Sequence, residues 1–416
     1  MLPRRVWLVL LLAIAALGCH AAPVQPNRPP TRLTFTVQPS GASANQPLAP
    51  AIQVAVQDDA GNIVADFIGS VTVSLSANPA GGILSGTKTE AVTDGIATFS
   101  ALSIDRRGDG YALTAVAPGL GAAISAAFNV ICVANCWSAQ APMPTRRTLL
   151  ASGVLNGSVY AVGGFASGVR SATVEAYDPR TNTWTTKAPL PTARLGLAVG
   201  VLNGIVYAVG GSLAGGVPTG IVEAYDATTN SWTPRASLPT PRFELGVAVA
   251  NGHLYAIGGD VGDGRDTALV EMYDPISDTW APKAPLPSGL ADFGTAVVEN
   301  VIYVVGGDAA GTAVAGTEAY DPVSNVWTSK APMPTPRAGL GAASLNGYVY
   351  AVGGSRDHAL TTVERYDPVS DRWVARAPLL TARVLLSVGA LDGLLYAIGG
   401  SAATVSFLTT NEAYQP

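Results

Sequence analysis

Five arginines recur at near-regular spacing in the second part of this 416-residue chain: Arg147, Arg194, Arg242, Arg337 and Arg383. A guanidinium fork matches a carboxylate, so such a set could grip an acidic peptide or a small anionic molecule. Five copies could equally each pair with a neighbouring acid and order a loop. Where a sixth copy would fall the chain has Leu290. Around that gap lie acids with no repeated counterpart: Glu244, Asp260, Asp263, Asp266, Asp292 and Asp308. Asp260, Asp263 and Asp266 carry oxygens a Ca²⁺ ion could use, but their spacing matches no known calcium loop, so no metal or other cofactor is expected. Arg356, Asp357 and His358 make a second polar stretch.

The elements that position these residues are read from a period. Tyr-Ala-Val-Gly-Gly or a close variant begins at Tyr160, Tyr207, Tyr255, Tyr303, Tyr350 and Tyr396, at intervals of 46 to 48 residues. A Glu-x-Tyr pair follows each, from Glu175/Tyr177 to Glu412/Tyr414, and Trp follows at 184, 232, 280, 327 and 373. After Tyr414 no Trp follows, yet a spare one, Trp137, stands before the first repeat. A fixed period of this size marks an array of supersecondary units.

Gly-Gly, then Tyr, then Trp, in six phased copies, resembles the kelch repeat, and the resemblance covers residues 136–416. It implies an all-β, six-bladed propeller of four-stranded blades. The last blade lacks an outer strand, so the segment at Trp137 is expected to pair with the strand at Tyr414 and close the ring, leaving no raw sheet edge. Residues present in every blade are expected to be scaffold. The six Glu are read as structural partners, and the Asp-Pro turns (Asp178, Asp274, Asp321, Asp367, with Asp226 before Ala) as turn formers. Alternating strand direction puts the variable loops and all five Arg on one face, which is the expected binding face: Arg-rich on one side, acidic on the other. In kelch ligand-binding domains, Arg at this place contacts acidic groups.

Residues 31–131 alternate apolar and polar in six or seven short stretches, the pattern of a sandwich. The text VQDDAGNIVADF, with Asp58, Gly61 and Asn62 at a turn, resembles the bacterial Ig-like domains of invasin-type surface proteins, which act as spacers. Before it, Arg4 and Arg5 precede a short apolar run ending Ala-Leu-Gly-Cys19. Residues 1–18 resemble a lipoprotein signal peptide with Cys19 as the lipidated residue; residues 19–30 are a Pro-rich linker. The expected location is the outer membrane or cell surface, with a periplasmic or secreted protein as the alternative. Cys132 and Cys136 then remain as an even pair, expected to be a disulfide outside the cytoplasm.

Apolar residues make up 48% of the chain, which excludes a disordered protein. A net charge of −5 with no basic run excludes nucleic acid as partner. Copper-radical oxidases with kelch propellers need a Tyr–Cys link, and no Cys follows Cys136. The expected function is therefore a non-enzymatic surface binder of a protein or glycan. The alternative is a carbohydrate-active enzyme similar to kelch-propeller sialic-acid epimerases, with Arg242 and Glu244 in the channel.

Overall fold

The computed structural model describes residues 29–262, 264–402 and 406–416; the signal peptide, Cys19 and most of the linker lie outside them. The described chain is almost wholly strand and turn. Its one helical element is a 3₁₀ turn, Ala214–Gly216, and no described helix is long and apolar enough to cross a membrane.

The N-terminal part is two main sheets over one core, antiparallel except where Ala42–Ser43 pairs in parallel with Phe128–Ile131. A three-stranded sheet runs in the order Arg32–Val37, Ile52–Gln57, Ile96–Phe99. The larger sheet centres on Ser70–Ala77 and Gly108–Val116. Period-two patterning decides which side faces in. In Ser70–Ala77, Val71 and Val73 are buried between exposed Ser70, Thr72 and Ser74. They join Phe35, Val54, Phe99, Tyr111 and Val130 in a single apolar cluster. The Asp58 turn forms as its residues dictate. The Asn62 backbone N–H and side-chain amide both donate to the Asp58 carboxylate, at 2.8 and 3.0 Å, and Gly61 takes φ +91°. Cys132 and Cys136 are disulfide-bonded where this part ends.

From Cys136 onward the chain forms six four-stranded antiparallel sheets. Five are built from consecutive strands; the first, for example, is Ala151–Leu155, Ser158–Val162, Val174–Asp178 and Thr183–Thr186. The sixth takes Ser387–Leu391, Leu394–Ile398 and Asn411–Gln415 from the C-terminus, and Cys136–Ala139 from before the first sheet. There Trp137 registers opposite Tyr414 and Cys136 opposite Gln415. The innermost strands contact one another in cyclic order, the first against the sixth as well, so the sheets surround a central channel.

The repeated residues build this ring. Trp184 packs on Tyr177 at 5.2 Å between ring centroids, and its Nε1–H donates to the Ala141 carbonyl of the preceding sheet, 2.8 Å away. Asn182, at φ +53°, accepts from the Tyr177 hydroxyl and from the Ala141 amide. The same three groups recur at the closing strand. Trp137 donates to the Ala377 carbonyl at 2.9 Å, and Asn135 accepts from Tyr414 and from the Ala377 amide. The segment before the first sheet thus fills a place identical to that of every other outer strand. The Asp residues of the outer turns accept backbone N–H groups two residues on, as at Asp226–Thr228 and Asp274–Ile276.

Candidate functional site at the channel mouth

The five recurrent arginines are not a binding surface. Arg147, Arg194, Arg242, Arg337 and Arg383 are all 0% exposed. Each is ion-paired with the Glu of its own sheet: Arg147–Glu175 at 2.7 Å, Arg194–Glu223 at 2.5 Å, Arg337–Glu364 at 3.0 Å, Arg383–Glu412 at 2.9 Å, and Arg242–Glu271. Other guanidinium hydrogens go to backbone carbonyls, as where Arg147 donates to Gly163 and Thr173, while the buried Nε–H of each Arg has no hydrogen-bond partner among the described residues. Burial draws the guanidinium pKa values down from their ordinary value, and the Glu partners oppose that. The expectation that these Arg contact a ligand is therefore corrected: ion-paired and sealed from solvent, they present no donor at the surface. In the fourth sheet, where Leu290 replaces Arg, Glu318 turns to the Ser329 hydroxyl.

What the Arg segments position is the channel mouth. Two residues past each Arg, and past Leu290, the chain takes the left-handed conformation: Leu149, Gly196, Glu244, Asp292, Gly339 and Leu385, all with φ between 53 and 61°. Each N–H donates to the carbonyl of the same position in the neighbouring sheet. Gly196 donates to Leu149, Glu244 to Gly196, Asp292 to Glu244, Gly339 to Asp292, Leu385 to Gly339 and Leu149 to Leu385, at 2.7 to 3.2 Å. Six hydrogen bonds thus close a circle. A second circle surrounds it: the latter Gly of each Gly-Gly pair donates to the carbonyl of the next sheet's Arg position, with Gly400 to Arg147 completing the turn. Leu290 supplies that carbonyl to Gly259, so the ring survives the loss of one Arg side chain. A Cβ at Gly399 would stand 2.7 Å from the Arg147 carbonyl, which is why no side chain fits there. A non-glycine residue in this conformation costs about 1–2 kcal/mol, so Leu149 and Leu385 are held there by the ring.

The side chains on the inner circle read Leu149, Gly196, Glu244, Asp292, Gly339, Leu385 in order around the channel. One half is acidic, the opposite half apolar, and a glycine separates them on each side. They line a constriction of about 100 Å³. Below it the channel widens to spaces of about 210 and 330 Å³, walled mostly by Ala, Val, Gly, Ser and Thr of the innermost strands, with Phe293 and Leu side chains such as Leu150 bordering the first.

Glu244 and Asp292 are half-buried and face each other's charge, and no hydrogen bond to either carboxyl group is present among the described residues. Confinement in the constriction, then the charge of the neighbouring acids, pushes both carboxyls far above their ordinary range, Glu244 to about 8 and Asp292 to about 7. Asp260, Asp266 and Asp308 contribute to that field, and Asp266 is itself pushed up, first by burial. These three have structural partners: Asp260 accepts from Gly262, Asp266 from Ala310 and Asp308 from Gly311. Asp263 lies outside the described residues. No group of three or more His, Cys, Asp or Glu among the described residues is arranged to hold a metal.

Arg356 and His358 are exposed, and Arg356 stands 3.9 Å from Asp357. Asp357 and His358 edge a separate cleft of about 590 Å³ beside the apolar half of the mouth. The sequence reading missed its main walls, Phe165 and Phe407, because neither belongs to the repeat. The expected division of the face into an Arg-rich and an acidic side is therefore corrected: the side opposite the acids is apolar.

Residues 146–191 match the Kelch motif, and residues 196–400 match the kelch-repeats domain described for KLHDC2, KLHL20 and DRC7. A solved structure titled "Structure of YjhT" superposes with a TM-score of 0.58 at 18% identity, covering 66% of this chain and 96% of that one. The ring is a kelch β-propeller. No curated protein matches the sequence. This kelch propeller has a fold used by protein-binding and by enzyme-type propellers alike. The likeness to YjhT corrects one expectation of the sequence analysis, that the protein is not an enzyme: the shared fold gives no ground for that exclusion.

Proposed function

We propose that this six-bladed kelch propeller is a carbohydrate-active enzyme of the epimerase type, working at the channel mouth with Glu244 and Asp292 as its acid and base. The observation that carries the reading is the pair itself: two adjacent carboxyl groups without protein partners, side by side in a confined mouth. Burial and the surrounding negative charge raise both carboxyls toward neutral pH, so the pair there holds a proton on one member that the other can lack. A pair so divided can move two protons at once on a bound reducing sugar. The carboxylate takes the anomeric hydroxyl proton while the neutral carboxyl gives its proton to the ring oxygen. The ring C–O bond breaks, and an open-chain carbonyl compound forms. Reclosure on the other face of the carbonyl returns both protons and gives the opposite anomer, with no net change in the enzyme.

Arg242 cannot serve as the cationic partner expected beside Glu244, because it is sealed against Glu271. Without a guanidinium at the mouth, an anionic sugar acid meets only repulsion, and a neutral sugar is the better substrate. The N-terminal two-sheet region is proposed as an Ig-like spacer, and Cys19 as a lipid anchor holding the exported protein at the outer membrane. Polarimetry of freshly dissolved α-D-glucose, α-D-galactose and α-N-acetyl-D-glucosamine tests the reading. Accelerated mutarotation of at least one sugar, abolished in Glu244→Gln, supports it; spontaneous rates for all three would refute it.

A further inference from the structure

The cleft of about 590 Å³ on the variable face has no role in the acid–base pair. Its volume is that of a small-molecule site rather than a surface wrinkle. Phe165 and Phe407 meet edge to face at 5.5 Å, and Val384, Leu149 and Leu385 complete an apolar wall. The wall is preformed. Phe165 exchanges two backbone hydrogen bonds with Thr148, and Ser401 two with Val384, so both loops are stitched to the segments that carry the inner circle. Leu149 and Leu385 belong to both the cleft and the mouth. The cleft therefore borders the apolar side of the mouth, the side opposite Glu244 and Asp292, with Gly196 and Gly339 between the two halves.

We infer that this cleft is a subsite for the apolar substituent of a neutral sugar, an acyl chain or aromatic ring, whose hydrophilic ring lies over the channel mouth. The inference rests on the carbohydrate reading above and adds to it the class of substrate. Aromatic edges and aliphatic side chains recognise such a group by removing it from water, and they supply little to a bare sugar. A molecule of this kind matches both halves of the mouth at once. A free hexose would leave the cleft filled only with water.

Two readouts separate this inference from the function it rests on. The first is fluorescence of the neutral dye N-phenyl-1-naphthylamine with the full-length protein. Saturable enhancement is expected, weakened at least tenfold in Phe407→Asp and in Phe165→Ala and unchanged in Glu244→Gln. Thermal melts confirm that the variants fold. No saturable binding by the wild type, or wild-type affinity in both Phe variants, would overturn the inference. The second is mutarotation of α-N-octanoyl-D-glucosamine against α-N-acetyl-D-glucosamine. A KM at least tenfold lower for the octanoyl sugar is expected, with the advantage lost in Phe407→Asp. Turnover of both sugars with equal KM would overturn the inference and leave the enzyme reading standing. Dye binding without turnover of any sugar would refute the enzyme reading and with it the sugar half of the inference.

Discussion

The backbone N–H of Asp292 donates to the carbonyl of Glu244 over 3.1 Å, and this one bond sets two carboxyl groups on adjacent steps of the inner circle. Their neighbours in that circle are Gly196 and Gly339, so no side chain of the circle itself separates the pair from its apolar half. The charge repulsion that follows is a consequence of ring symmetry: equivalent positions in adjoining sheets are brought together, whatever side chains they carry.

The first prediction concerns stability against pH. Both carboxyls have folded-state pKa values raised above those of the unfolded chain, so the folded protein binds more protons than the unfolded one between about pH 4 and the raised values near 7 and 8. Their contribution is fully present below pH 4 and is lost as pH rises through 7 to 8. Each unit of elevation corresponds to about 1.4 kcal/mol, and partial exposure at the mouth trims the total to on the order of 2 kcal/mol. Urea denaturation at pH 5 and pH 8.5 should show the wild type less stable at the higher pH. In Glu244→Gln the difference should shrink by about 1 kcal/mol or more.

A second prediction follows from the buried ion pairs. Arg194→Ala strands Glu223 without its partner and should destabilise the propeller by about 3–5 kcal/mol. Arg194→Leu with Glu223→Gln removes both charges and puts Leu where the fourth sheet has Leu290, which still gives its carbonyl to Gly259. The double variant should recover at least half of the loss. Equal losses would mean that the guanidinium's bonds to backbone carbonyls matter more than its charge.

The closing strand supplies a third. Trp137→Ala removes a ring packed on Tyr414 at 5.1 Å and the Nε1–H bond to Ala377, and should cost about 3–5 kcal/mol. Trp137→Phe keeps most of the packing and loses the hydrogen bond, at about 1 kcal/mol. Proteolysis should then begin at the junction of the first and sixth sheets, and cleavage sites mapped by mass spectrometry check this.

A fourth concerns the glycines of the inner circle. Gly339 has φ +61°, and a Cβ there would stand 2.6 Å from Val384 Cγ2. Gly196 has φ +59° with 3.3 Å to the nearest atom, the Glu244 amide nitrogen. Gly339→Ala should therefore destabilise more than Gly196→Ala, the latter by about 1 kcal/mol, as differential scanning calorimetry would show.

Much of this molecule is legible in its sequence because the repeat is. The Gly-Gly, Tyr and Trp positions, the spare Trp137 and the missing Trp after Tyr414 all correspond to places in the ring, since every sheet must satisfy the same packing. The arginines were harder to read. Spacing puts Arg194 at the variable face, but it does not say that the side chain turns inward to Glu223, 29 residues on. One signal was present: Arg and Glu both recur, and buried charges persist only when paired. Glu244 and Asp292 stood out as acids without counterparts in other repeats. Their adjacency was hidden because it depends on the left-handed circle, which only Gly196 and Gly339 hint at. Phe165 and Phe407 come together from the first and last sheets, a contact that no local pattern encodes.

The pair at the mouth is tested most directly by polarimetric or NMR measurement of mutarotation for four proteins: the wild type, Glu244→Gln, Asp292→Asn and the double variant. Each single substitution is expected to lower kcat by about 10²-fold or more, with the double variant scarcely worse than either, because the two groups act as one proton-exchanging unit. Wild-type rates in the double variant, with its fold intact, would contradict the account.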